Sequence, residues 1–173
     1  MVIYPLQWLV VIVFPKHIAE RTSHAPEIIK SSQDKIMSFL TQGLWILATL
    51  YSIFVPFRIG TLWFWTGLAF FIAGLAALIP ATVAVAGTPV DRPFGSGIYR
   101  FSRHPMYLSM ILVYLGVSIA AVSWLFFLIT VITFFLQRYQ MIKEEKFCLE
   151  KFGNLYRDYM KKTSRWLGMP QKE

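Results

Sequence analysis

The chain has 173 residues, of which 56% are hydrophobic and only 15% charged, and its formal net charge is +8. Its single cysteine, Cys148, excludes an internal disulfide, and the usual spacing of a zinc-ligand cluster is absent, so no metal is expected. Apolar blocks longer than a soluble core needs predict one integral membrane domain over residues 1–173. The positive charge then indicates membrane topology and attraction to anionic lipids, and argues against nucleic-acid binding.

The N-terminal half contains three apolar stretches. Residues 1–14, stopped by Pro15, predict a short first helix, because they lack the basic start and cleavage site of a signal peptide. Residues 36–57 carry no charge over 22 positions, which as a helix spans about 33 Å, enough for a hydrocarbon core of roughly 30 Å. Residues 59–86 predict a further span, which we expect Pro80 to kink or end.

The block 104–137 has no Lys, Arg, Asp or Glu over 34 positions, which is too long for one ordinary span. Gly116, Ser118 and Ser123 lie near its middle, so it predicts an antiparallel helical hairpin that turns near residues 119–123. With five spans, the segments 15–35, 87–103 and 138–173 share one face and hold 16 of the 17 Lys and Arg residues. The positive-inside rule makes that face cytoplasmic.

The predicted fold class is therefore an all-α integral membrane protein with about five transmembrane helices. Residues 1–86 are its N-terminal helices, and the C-terminal hairpin is followed by an amphipathic cytoplasmic helix. That last helix is predicted from the tail, because Glu145, Leu149, Phe152, Tyr156 and Tyr159 share one face if the helix is continuous.

A polar loop, residues 87–105, precedes the hairpin. Gly95 and Gly97 allow the backbone to approach a ligand closely. Pro105 suits the first helical position, which places His104 beside the N–H groups of the helix start, where Arg100 and Arg103 add positive charge. The segment predicts an anion receptor, or equally a basic membrane anchor with a capping histidine.

The carboxylates Glu144 and Glu145 at the membrane boundary require a cationic partner. Lys143 and Lys146 are one source, and a cationic small molecule is another. If the last span brings this pair next to the loop, the resulting site combines carboxylates, basic groups and aromatic rings. Such a site suits a zwitterionic, adenine-bearing ligand, of which S-adenosylmethionine is an example.

Two motifs in this order carry a family resemblance: GIYRFSRHPMY at 97–107, and EExxxLxxFGxxYxxY at 144–159 followed by Arg165 and Trp166. Over residues 95–168 the chain resembles the isoprenylcysteine carboxyl methyltransferase and phospholipid methyltransferase superfamily. The resemblance implies a catalytic core at 87–168 that binds S-adenosylmethionine at the cytoplasmic face. It also implies a lipophilic or lipid-modified acceptor that arrives from the bilayer.

The resemblance implies the following site residues. Arg103 and Glu145 are expected nearest the reacting groups, and Tyr156 and Tyr159 are expected to help close the pocket. The remaining cofactor-binding candidates are Gly95, Gly97, Tyr99, Arg100, His104, Pro105, Tyr107 and Glu144, with Glu145 serving in both roles.

One departure concerns the acceptor. Members that methylate a prenylcysteine carboxylate typically have an arginine where this chain has Gln140, and Arg138 replaces it only if the helix is rotated. An isoprenoid carboxylate, a phospholipid amine and a thiol therefore stay open. Two rival functions are an NADPH-dependent membrane sterol or steroid reductase and a non-enzymatic membrane interaction protein.

Overall fold

The computed structural model describes residues 31–88, 93 and 95–168, which form helices and no strand. The elements are α1 (Ser32–Phe54), α2 (Leu62–Gly87), a 3-10 helix (Gly97–Arg100), α3 (Pro105–Ala121), α4 (Trp124–Phe152) and α5 (Asn154–Lys162). The predicted all-α fold is confirmed, while the predicted helix at 1–14 lies outside the described residues.

Three of these helices are long and apolar enough to cross a membrane: α1, α2 over Leu62–Val85, and α4. The fourth apolar helix, α3, has 17 residues and is shorter than an ordinary span. Large apolar side chains cover the outside of the bundle, as expected for lipid contact, and Trp63, Trp65 and Trp124 are among the exposed ones. The chain is thus a membrane protein.

The hairpin prediction is confirmed. Val122 adopts the left-handed conformation after α3, and the Ser123 Oγ caps α4 by accepting a hydrogen bond from the Phe126 N–H at 3.2 Å. The alternative that Pro80 ends its helix is wrong, because α2 continues to Gly87. Proline removes only one backbone hydrogen bond, and the surrounding apolar helix tolerates that loss.

Helices α2 and α3 cross with their backbones in contact. A Cβ on Gly67 would overlap the Ala120 nitrogen, and a Cβ on Gly116 would lie 2.6 Å from the Phe71 nitrogen. Gly74 has a similar contact with α3, since its Cβ would lie 2.8 Å from the Ser109 carbonyl oxygen. Glycines therefore pack two helices of the same chain, as small residues do in membranes.

Helix α1 runs antiparallel to α4. At its start, Asp34 accepts a hydrogen bond from the Tyr139 hydroxyl at 2.7 Å and pairs with the Lys143 Nζ at 2.9 Å. Near its end, the Tyr51 hydroxyl lies 3.5 Å from the Ser123 Oγ. The start of α1 and the polar end of α4 consequently lie at the same end of the bundle.

Candidate active site at one end of the bundle

His104 lies between the two adjacent carboxylates of α4. Its Nε2 is 3.2 Å from the Glu145 Oε1, and its Nδ1 is 3.7 Å from the Glu144 Oε2. Because an ionised carboxylate can only accept, the Nε2 carries the hydrogen of the shorter contact. Pro105 begins α3 directly after this histidine, so the start of α3 fixes the imidazole against α4.

Two arginines approach the same carboxylate. Arg165 donates from Nε to the Glu145 Oε1 at 3.0 Å and from Nη2 to Oε2 at 2.6 Å, a bidentate pair. The Arg103 Nε lies 3.2 Å from Oε1, while its Nη1 donates to the Met160 carbonyl at 3.3 Å. Glu145 is therefore a buried carboxylate surrounded by three donor side chains.

Glu144 has a different environment. Its Oε1 accepts a hydrogen bond of 2.5 Å from the Tyr107 hydroxyl, and its side chain is 20% exposed, against 5% for Glu145. Tyr107 itself is buried on the first turn of α3. Glu144 is thus positioned by one strong hydrogen bond and retains an accessible face.

The segment 164–168, which we call the strap, is bound to the loop before α3. The Arg103 N–H donates to the Ser164 carbonyl at 2.9 Å, and the Gly168 N–H donates to the Phe101 carbonyl at 2.9 Å. Ser102, which is 1% exposed, donates to the Arg165 carbonyl and accepts from the His104 N–H. These bonds hold Arg165 and His104 next to the same carboxylate, that of Glu145.

Aromatic side chains form one wall of the site. The Tyr159 hydroxyl donates to the Tyr99 carbonyl at 2.7 Å, and the Tyr156 and Tyr159 rings have centroids 5.7 Å apart. Burial raises the pKa of both tyrosines above the ordinary range. The pKa of Arg165 is raised because its hydrogen bonds to Glu145 favour the charged form.

The structure brings together Tyr99, Arg103, His104, Pro105, Tyr107, Glu144, Glu145, Tyr156 and Tyr159. Gly95 lies beside Tyr159, since a Cβ on this glycine would lie 3.9 Å from that ring, whereas Gly97 has φ +59° and open space around it. Gly97 is therefore explained by its backbone conformation. Arg100 ends the 3-10 helix with an exposed side chain, apart from the cluster around Glu145.

The tail is not one continuous helix. Gly153 has φ +55° and ψ −123°, a conformation that separates α4 from α5. The expectation that Glu145 and Tyr156 share a face of a single helix is wrong, because glycine turns the chain between them. Tyr156 is nevertheless buried, and the predicted amphipathic helix exists as the short α5.

The sequence-based site omitted Arg165, which makes the shortest contact with Glu145. The sequence feature that could have identified Arg165 is the Arg165–Trp166 pair. Trp166 stacks on Phe134 with ring centroids 5.1 Å apart and so fixes the strap on α4. Arg138 is exposed, whereas Gln140 is buried, so Arg138 does not replace the side chain of Gln140.

The fold and the site define a class of protein: an all-helical membrane protein with a buried ionic cluster at one end of its bundle. The model of the phospholipid methyltransferase family matches residues 56–155, more than half of the chain. The chain therefore belongs to the phospholipid methyltransferase family, a family of membrane methyltransferases. Comparison with curated proteins and with solved structures gives no significant match.

Proposed function

We propose that the chain is an S-adenosylmethionine-dependent methyltransferase whose lipophilic acceptor enters from the bilayer, with the site at the cytoplasmic face. The supporting observation is the contrast within the carboxylate pair. Glu145 is saturated by Arg103, His104 and Arg165, whereas Glu144 keeps an accessible face. The concentration of Lys and Arg in segments expected on the same face favours the cytoplasmic orientation.

The residues present suit this cofactor. Glu144, oriented by Tyr107, offers a carboxylate to the ammonium group of the amino-acid part. The Arg103 guanidinium, held beside Glu145 with its Nε 3.2 Å from Oε1, adds positive charge at this end of α4, which favours the carboxylate of the amino-acid part there. Tyr156 and Tyr159 provide aromatic surface for a purine.

Bound S-adenosylmethionine supplies an electrophilic methyl group on a positively charged sulfur. The chain's own contribution is alignment and exclusion of water, because in-line transfer needs two reacting groups held in register. Glu145 holds Arg103, His104 and Arg165 in place, which favours an organising role for it. The assignment of Arg103 and Glu145 as the residues nearest the reacting groups stays a prediction.

An amine acceptor must also lose a proton. With the His104 Nε2–H directed at Glu145, the Nδ1 of the neutral imidazole is the basic nitrogen, and it faces Glu144 at 3.7 Å. His104 is therefore our candidate for the group that takes this proton. A carboxylate or thiolate acceptor needs no such base.

Isothermal titration into detergent-purified protein tests the proposal, with S-adenosylhomocysteine and NADPH as separate ligands. We expect binding of S-adenosylhomocysteine alone, weakened at least about tenfold by Glu144→Gln, since one charge-assisted hydrogen bond contributes about 1.5–3 kcal/mol. Asp158→Asn is the matched control, because Asp158 is an exposed carboxylate on α5 that pairs with Lys161. Binding of NADPH instead, or of neither ligand by folded protein, contradicts the proposal.

A further inference from the structure

Two buried amides on α4 stand apart from the ionic cluster. Gln137 is 0% exposed and Gln140 is 7% exposed. The Oε1 and Nε2 atoms of both side chains are buried and have no hydrogen-bond partner among the described residues. Buried amides in native proteins are almost always paired, so two neighbouring unpaired ones point to a missing partner.

The position of the amides relates them to the site. Gln137 precedes Glu144 by seven residues and Gln140 precedes it by four, so all three project within about 60° of one another around α4. At a rise of 1.5 Å per residue, the amides lie about 10 Å and about 6 Å from Glu144 along the helix axis, toward its apolar part. They continue the buried face of α4 from the ionic cluster into the membrane-spanning region.

We propose that Gln137 and Gln140 bind the polar group of the methyl acceptor, and that they select an acceptor whose reacting group carries no negative charge. This assignment rests on the proposed methyltransferase function. Each amide offers an oxygen that accepts and an N–H₂ that donates, which suits an amine whose neighbouring ester or phosphate oxygens accept hydrogen bonds.

A carboxylate fits this position poorly. The amides carry no charge, and a carboxylate buried beside them needs a cation to offset its desolvation. The nearest arginines, Arg103 and Arg165, already pair with Glu145, and Arg138 is exposed. The amide pair therefore disfavours an anionic reacting group at this depth.

The experiment uses the full chain in vesicles with radiolabelled S-adenosylmethionine. The probes are phosphatidylethanolamine, as an amine lipid, and N-acetyl-S-farnesylcysteine, as a lipophilic carboxylate. The variants are Gln137→Met and Gln140→Met, which keep the side-chain length and remove the amide, with Met141→Leu as the matched buried control. Thermal stabilisation by each probe in detergent gives a second readout that does not require turnover.

We expect the wild-type protein to methylate the amine lipid, and each Gln→Met variant to raise the KM for it about tenfold, as loss of one hydrogen bond does. Binding of S-adenosylhomocysteine should stay unchanged, the thermal midpoint of the ligand-free variants should stay the same or rise because an unpaired buried amide is removed, and Met141→Leu should behave as the wild type. Gln140→Arg should shift preference toward the carboxylate probe.

Three results would overturn the assignment: wild-type preference for the carboxylate probe, an unchanged KM in both Gln→Met variants, or a lowered thermal midpoint with no change in KM, which indicates a purely structural role. In each of these cases retained binding of S-adenosylhomocysteine leaves the methyltransferase proposal intact. Failure of the folded wild-type protein to bind S-adenosylhomocysteine overturns both.

Discussion

Arg165 and Glu145 form a bidentate ion pair that joins the C-terminal strap to the end of α4, with N–O distances of 2.6 and 3.0 Å. Glu145 is buried, whereas the Arg165 side chain is 35% exposed. The pair therefore combines a carboxylate that must be satisfied with an arginine that a ligand or solvent can reach. Glu145 is thus contacted by Arg165 of the strap, by Arg103 and by His104.

Removing this arginine should loosen the strap. In Arg165→Met the carboxylate keeps Arg103 and His104, so we expect a loss of only about 1–2 kcal/mol in the free energy of unfolding. Methyl transfer should fall more, by about tenfold to a hundredfold, because the site loses alignment. Thermal denaturation and activity measured on the same sample check this prediction.

Arg157→Met is the control for Arg165→Met. Arg157 is exposed on α5, where its Nη1 donates to the Asn154 Oδ1 at 3.1 Å, away from the cluster around Glu145. The substitution should leave activity and the thermal midpoint unchanged. Equal losses in the two variants would show that general charge on the tail, and not the pair with Glu145, determines the effect.

Gly153 provides the second prediction, because its backbone conformation is accessible mainly to glycine. Gly153→Ala should cost about 1–3 kcal/mol in unfolding free energy, the usual range for backbone strain. It should also displace Tyr156 and weaken binding of S-adenosylhomocysteine. Gly168→Ala is not a suitable control, since its Cβ would lie 2.7 Å from Ser164.

Gly43→Ala is the suitable control for Gly153→Ala, since a Cβ at Gly43 meets nothing within 4 Å and its φ is negative. An unchanged thermal midpoint and unchanged ligand binding in Gly153→Ala would show that the break between α4 and α5 does not require glycine at this position.

Alkaline pH provides the third prediction. Burial raises the pKa of Tyr156 in the folded protein, while the unfolded chain titrates near pH 10. Above pH 10 the unfolded state loses a proton that the folded state keeps, so the stabilisation present below pH 10 is lost as the pH rises. Each such group contributes a slope of up to about 1.4 kcal/mol per pH unit.

Tyr156→Phe should therefore reduce the alkaline fall in stability, as measured by the thermal midpoint between pH 8 and pH 11. The difference between the variant and the wild type should be constant below pH 10 and should shift in favour of the variant above it, because only the wild type loses the stabilisation linked to Tyr156. Parallel curves across the whole range would contradict a perturbed Tyr156.

The sequence predicted the helical architecture because uncharged blocks of membrane length leave few alternatives, as at 36–57 and in the hairpin around Ser123. It raised a meeting of the two glutamates with the loop at 95–105 only as a condition, that the last span delivers them there, and the structure places His104 beside both. It could not predict that Arg165 would pair with Glu145. That contact depends on the strap that backbone hydrogen bonds form with residues 101–103, and such bonds leave no side-chain pattern.

The break at Gly153 was also missed, for a physical reason. The apolar and polar positions from Glu145 to Tyr159 keep helical spacing across the glycine, and one glycine inside a helical pattern is only mildly unfavourable. Its positive φ is a consequence of how α5 packs back toward the loop through the Tyr159–Tyr99 hydrogen bond. Tertiary contacts thus determine the conformation at Gly153, although the spacing of apolar residues alone favours a continuous helix.

The last prediction concerns the crossing of α2 and α3, which places the start of α3, and hence His104, in the bundle. Gly67→Ala puts a methyl group onto the Ala120 nitrogen, and backbone atoms cannot yield as a flexible side chain does. We expect a loss of about 1–3 kcal/mol in unfolding free energy, typical of overpacking, and a parallel loss of activity as the two helices move apart. Gly43→Ala is again the matched control, because alanine in an open helical position should be neutral or stabilise by up to about 1 kcal/mol. A Gly67→Ala protein as stable as Gly43→Ala in the same detergent would show that α2 and α3 do not cross this closely.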